Sequence, residues 1–275
     1  MSEPAKAASA ASAGGPVILE TKQGGIVKLV LNRPEKLNAL NNELAAALIE
    51  TFTRLSEDGS VHVVVLTGAG RAFCAGGDLG VIGKGRQTGD TKDLEPLLRS
   101  GMQAVLKMRT MPQPVVAVVQ GPAAGAGMNL ALAADIRLAS EDATFGENFA
   151  RVGLYPDYGG TYFLPQLVGP AKAAEMFYTG EMIDAQTALR LGIVNHVYPA
   201  AQLEAEAKAL VEKIAQGPPV SIRAIKQAVF GAQKKELAHA LEQEVRQQIQ
   251  CYLTEDCREG IRAFMEKRRA KFQGK

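Results

Sequence analysis

Two hydrophobic periods run along the chain. Val17–Thr21 and Ile26–Leu31 are β-rich runs on either side of Gly24-Gly25, the composition of a hairpin. Leu44, Ala47, Leu48 and Phe52 then recur at helical spacing, and Asn41 or Asn42 caps a helix reaching Leu55. Val61–Leu66, Val115–Val119 and Ile136–Leu138 are short apolar runs of the kind found in buried strands. Helical segments are predicted over Leu94–Arg109 and Met128–Ala134. Strands alternating with helices predict an α/β layout with mostly parallel strands. After Pro199 the texture changes: Ala200–Gln216, Val220–Phe230, Lys235–Tyr252 and Glu255–Lys267 are successive amphipathic helices. A boundary is therefore placed near residue 200, between a core over residues 16–199 and a helical region over 200–275. The apolar faces of that region need cover from their own core or from a neighbouring subunit.

Composition narrows the classes. The chain has 275 residues, 47% apolar and 22% charged, enough for one large core. Residues 1–15, rich in Ala and Ser without an apolar stretch, predict a disordered leader and not a signal or transit peptide. Pro114–Ala134 is nearly uncharged, but Gln120, Gly121, Pro122, Gly125, Gly127 and Asn129 interrupt it. A strand, a glycine turn and a buried helix fit it better than a membrane span. The net charge of +2 and scattered cations argue against nucleic acid. The exception is the cluster Lys267, Arg268, Arg269 and Lys271, which suits a helix end or a phosphate-bearing ligand. Cys74, Cys251 and Cys257 have no metal-ligand spacing, and their odd number points to a reducing, cytoplasmic setting.

Three segments carry chemistry. Gly70–Leu79 follows a strand, and Ala75, Gly76 and Gly77 let a ligand approach the backbone. A tight turn would use the same residues. Gly121–Asn129 follows the next strand and opens a helix, whose free N–H groups and dipole suit an anion. Its spacing fits neither a P-loop nor a dinucleotide fingerprint. Each loop could give one N–H to the same oxygen, a two-donor oxyanion hole. In Val152–Thr161, Asp157 is either the N-cap of a helix beginning near Gly159 or a carboxylate for proton transfer in an apolar pocket.

The run Asn32–Leu40, together with Ala72–Leu79, Gly121–Ile136, Phe145–Thr161 and Leu191–Val194, resembles the enoyl-CoA hydratase/isomerase (crotonase) superfamily in order and spacing. The resemblance spans about Gly25 to Phe272. It implies a spiral of ββα turns followed by a helical trimerisation region, in a homotrimer or a dimer of trimers. It implies an acyl-CoA substrate, with the Gly77 and Ala126 N–H groups around the thioester oxygen and CoA along Lys36, Leu37, Ala75 and Leu79. Phe264 and Lys267 match tail positions that reach a neighbouring subunit's CoA in family trimers.

Typical hydratases carry two glutamates at the positions of Asn129 and Phe149. Asparagine is not a base and phenylalanine has no proton to exchange. Asp157 matches the acidic position of another set of members, and the combination looks most like epoxyphenylacetyl-CoA isomerases. The implied activity is a double-bond shift or ring-epoxide rearrangement of a CoA thioester, needing no metal or redox cofactor. Asn129 would orient substrate or bond a ring oxygen, and Phe149 and Leu154 would line an apolar pocket. Glu147, two residues from the second glutamate position, is expected to point elsewhere. The alternatives are a hydratase in which Asp157 or Glu147 activates water, and a non-catalytic CoA-binding homologue. His62, His196 and His239 are isolated, Cys74 has no partner base in view, and Tyr155, Tyr158 and Tyr162 are packing residues by default.

Overall fold

The computed structural model describes residues 15–80, 82–83 and 94–275. The predicted leader therefore lies, except for Gly15, outside the described residues.

A six-stranded sheet forms the centre. Its strands are β1 (Ile18–Gln23), β2 (Ile26–Leu31), β3 (Val63–Gly68), β4 (Val115–Val119), β6 (Ile136–Ser140) and β9 (His196–Tyr198), in that spatial order. β1 and β2 form the predicted antiparallel hairpin, and every later pairing in this sheet is parallel. Gly24 and Gly25 turn the hairpin with φ of 54° and 81°, where a side chain would be strained. A smaller sheet joins β5 (Ala123–Ala124), β7 (Thr144–Gly146) and β8 (Met182–Asp184).

Both faces of the central strands are covered, which explains their unbroken apolar runs. In β3, Val64 and Leu66 enter the main core while Val63 and Val65 enter a second cluster. α1 (Asn42–Glu57) and α2 (Leu94–Thr110) cover the first face; Asn41 caps α1, its side chain accepting the Leu44 N–H at 2.9 Å. The other face packs against Leu203, Ala207 and Val211 of helix α7 (Leu203–Ala215). The first helix beyond residue 200 is thus a layer on the central sheet.

Between them come α3 (Ala126–Leu132), α4 (Gly160–Val168), α5 (Pro170–Thr179) and α6 (Ala185–Arg190). The chain ends in α8 (Pro219–Phe230), α9 (Lys234–Tyr252) and α10 (Glu255–Met265). α9 buries Leu237, Leu241, Val245 and Tyr252. α10 meets the short 3-10 helix Asn148–Val152 backbone to backbone: a Cβ on Gly260 would lie 2.5 Å from the Val152 carbonyl carbon. No described helix is long and apolar enough to cross a membrane.

Candidate active site

β3 and β4 are parallel neighbours, so the loops leaving their C-terminal ends lie side by side. Cys74 N–H donates to the Pro122 carbonyl (3.2 Å) and Ala124 N–H returns to the Cys74 carbonyl (3.0 Å). The fit depends on small residues. A Cβ on Gly127 would sit 2.2 Å from the Cys74 oxygen, and one on Gly76 would sit 2.8 Å from the Ala124 oxygen.

The first loop is held from within. Asn38, fully buried, donates its amide hydrogens to Ala69 (2.9 Å), Ala72 (2.8 Å) and Phe73 (3.2 Å) carbonyls and accepts the Arg33 N–H at 2.9 Å. Arg33 pairs with Asp78 at 3.0 Å. Leu37 and Asn38 both adopt left-handed backbone, φ 51° and 56°, which turns the chain back so that Ala75 N–H reaches the Leu37 carbonyl at 3.0 Å. Leu37 and Ala75, two of the expected CoA contacts, are thereby brought together. Lys36 is exposed beside them and Leu79 is half-buried against the core. Cys74 donates its thiol to the Asn38 carbonyl at 3.1 Å, and burial pushes it up to about 12, the behaviour of a packing residue.

Leu40 N–H donates to Gly76 (2.7 Å) and Asp78 N–H to Leu40 (2.9 Å), leaving the Gly77 N–H between them without a protein acceptor among the described residues. Ala126 opens α3, and its N–H is likewise unpaired among the described residues. Gly77 and Ala126 wall one small cavity together with Leu40, Leu154, Asp157 and Tyr158. The two candidate oxyanion donors and the candidate base therefore face the same space. A much larger cleft between the sheet and α7 contains none of these residues.

Asp157 is not a helix N-cap. That position belongs to Gly159, whose φ of 85° favours glycine, and no side chain of its own caps α4. The carboxylate of Glu244, from α9, does so from a distance in sequence: it accepts the Gly159 N–H (2.7 Å), the Thr161 N–H (2.9 Å) and the Thr161 hydroxyl (2.6 Å). Asp157 Oδ2 accepts from Gln248 Nε2 at 3.3 Å, while Oδ1 is sealed from solvent without a hydrogen-bond partner. Burial, and after it the charge of Glu244, push the Asp157 carboxyl up to about 8, with the Gln248 hydrogen bond opposing. Burial raises Glu244 to about 7, its three donors holding it down.

Asn129 is fully buried and does not wall the cavity. Its amide donates to the Asp157 carbonyl (2.8 Å) and to Glu147 Oε2 (3.3 Å). Glu147, just before the 3-10 helix, is fully buried and does not wall the cavity. Burial keeps its carboxyl well above the usual range. Phe149 lies behind the second loop, its ring 3.4 Å from where a Gly125 Cβ would be. Tyr158 takes a left-handed φ of 54°, and its ring lies flush on Gly101 of α2, where a Cβ would be 2.3 Å away. Phe264 and Lys267 are exposed and do not contribute to the cavity.

Glu244, Gln248 and Asn38 carry geometry that the motifs did not assign. A signal for the first two exists: Glu244 and Gln248 fall on the buried face of α9 with Leu237, Leu241 and Tyr252, where polar residues need partners.

Residues 21–275 match the enoyl-CoA hydratase/isomerase family. A probable enoyl-CoA hydratase of Rhodobacter capsulatus is 40% identical, over 91% of this chain and 95% of that protein. The 1,2-epoxyphenylacetyl-CoA isomerase of Escherichia coli is 37% identical, over 94% and 98%. The crystal structure of an enoyl-CoA hydratase from Mycobacterium avium subsp. paratuberculosis superposes with a TM-score of 0.85 at 33% identity, covering 94% of this chain and 98% of that one.

Proposed function

The chain belongs to the enoyl-CoA hydratase/isomerase family, with its crotonase-like α/β fold, and within that family we propose that it is an acyl-CoA isomerase with Asp157 as its single proton-transfer base. The observation that supports this most is the shared cavity: Gly77, Ala126 and Asp157 wall it together, and Asp157 is its one carboxylate among the described residues.

The chemistry follows from those groups. A 3-enoyl thioester gives up a proton from C2 to the Asp157 carboxylate. The electron pair delocalises into the carbonyl and the neighbouring double bond, placing charge on the thioester oxygen. The Gly77 and Ala126 N–H groups stabilise that charge, and removal of one such donor typically costs about 10²–10³ in rate. Asp157 returns the proton at C4, giving the 2-enoyl thioester with no net gain or loss of atoms. A carboxyl near 8 is a stronger base than an ordinary one, as this abstraction requires. Rearrangement of a ring epoxide on a CoA thioester would use the same oxyanion donors. The apolar walls Leu40, Leu97, Leu98 and Leu154 disfavour water.

Hydration is the second reading. It draws on the name of the Rhodobacter relative and on Glu147, whose carboxyl reaches the Asp157 loop through Asn129. Purified protein assayed chromatographically with 3-enoyl, 2-enoyl and epoxyphenylacetyl thioesters separates the two. Conversion of the 3-enoyl or epoxide substrate, abolished in Asp157→Asn, supports the isomerase. Formation of 3-hydroxyacyl-CoA from the 2-enoyl substrate, with oxygen from labelled water, overturns it. A homotrimer or dimer of trimers is the proposed assembly, which sedimentation would test.

A further inference from the structure

Helix α9 reaches into the site with two side chains. Glu244 and Gln248 are four residues apart, so they share one face of the helix, and both are buried, at 1% and 3% exposure. Gln248 Oε1 accepts the Tyr155 N–H at 2.7 Å, while its Nε2 donates to Asp157 Oδ2 at 3.3 Å. Glu244 holds Gly159 and Thr161 on the other side. The loop is thus gripped before and after Asp157, and its carboxyl is gripped on one oxygen alone.

We propose that Glu244 and Gln248 are positioning residues for proton transfer: Gln248 fixes Asp157 Oδ2 so that Oδ1 serves the substrate, and Glu244 locks the turn on which Asp157 stands. This rests on the reading of Asp157 as the base. It makes the last long helix part of the proton-transfer apparatus.

The two residues act on the Asp157 proton in opposite senses. The Gln248 N–H stabilises the carboxylate, and the Glu244 charge opposes it. The other titratable groups around Asp157 are Glu147, just after β7, and Tyr158, its own neighbour, both shifted upward by burial. Within this set Glu244 has the most donors.

The test is a carbon NMR titration of the full chain labelled at aspartate carboxyls, with Asp157→Asn identifying the Asp157 signal. In Gln248→Met, which keeps the volume but removes the donor, the midpoint is expected to rise by roughly 0.5–1 pH unit, the difference one long hydrogen bond makes between the carboxylate and the carboxylic acid. In Glu244→Gln it is expected to fall. The pH profile of kcat for the double-bond shift should move in the same directions. Midpoints that stay put, or that move the same way in both variants, overturn the proposal, because a mere loosening of the loop has no such opposite signs. If Asp157→Asn itself turns over normally, the base reading fails; if it is inactive while the midpoints stay put, only the positioning role fails.

Discussion

Removing the Asn38 side chain tests whether the first loop is held from within. In Asn38→Ala, the Ala69 and Phe73 carbonyls lose their donor, and the Arg33 N–H loses its acceptor. The Ala72 carbonyl keeps a second donor, Gln120 Nε2 at 2.7 Å. Three groups are then left short in a buried site, each worth about 1 kcal/mol, so the loss is about 2–4 kcal/mol. At about 2–4 °C per kcal/mol for a chain of this size, the melting temperature falls by roughly 5–15 °C. Relaxation of the loop also moves the Gly77 N–H, and a displacement of about 1 Å can cost ~10²-fold in kcat. Asn38→Asp is expected to be worse despite its matching shape, because it sets carboxylate oxygens against three carbonyls. Scanning calorimetry and steady-state turnover at 25 °C measure both effects. An Asn38→Ala protein melting within 2 °C of the parent, with kcat unchanged, would refute the reasoning.

Two further outcomes follow from buried charge. Asp157 binds its proton more tightly folded than unfolded, so between about pH 4 and about 8 this group makes stability fall as pH rises. Asp157→Asn should therefore melt higher than the parent above pH 8 and no higher at pH 4, read by thermal scans across that range. Lys226, 6% exposed, pairs with Asp135 (2.9 Å) and donates to the Gln113 (2.8 Å) and Met108 (3.3 Å) carbonyls. Lys226→Ala leaves Asp135 with Arg109 at 3.4 Å and is expected to cost about 3 kcal/mol by denaturant titration, with kcat per folded molecule unaltered.

The long elements were legible because their burial is regular. Val115–Val119 appears with the predicted limits, since a strand covered on both faces is an unbroken apolar run. α9, predicted over Lys235–Tyr252, spans Lys234–Tyr252. The strands of two or three residues, β5, β7, β8 and β9, have no period to detect. α4 starts at Gly160, beside the start expected near Gly159, but its cap could not be found locally because it is supplied from 85 residues away. Gly77, Ala126 and Asp157 were named from motifs, and their meeting in one cavity depends on parallel strand order, which no local pattern displays. Glu147 is fully buried, and its hydrogen-bond partner is Asn129 of α3, 18 residues earlier, a tertiary contact that no local pattern displays.

The Asn129 amide also constrains the order in which this site can change. Its two hydrogens serve two acceptors, the Asp157 carbonyl and Glu147, and it stands where Gly160 leaves no room, a Cβ there falling 2.3 Å from its nitrogen. A glutamate at 129 offers at most one hydrogen, is longer by a methylene, and would confront Glu147 with a second buried acid. A single-step exchange toward a two-glutamate site is therefore disfavoured. Replacement of Glu147 by a non-acidic residue would relieve that crowding, so the gain of a carboxylate at 129 is conditional on a change at 147.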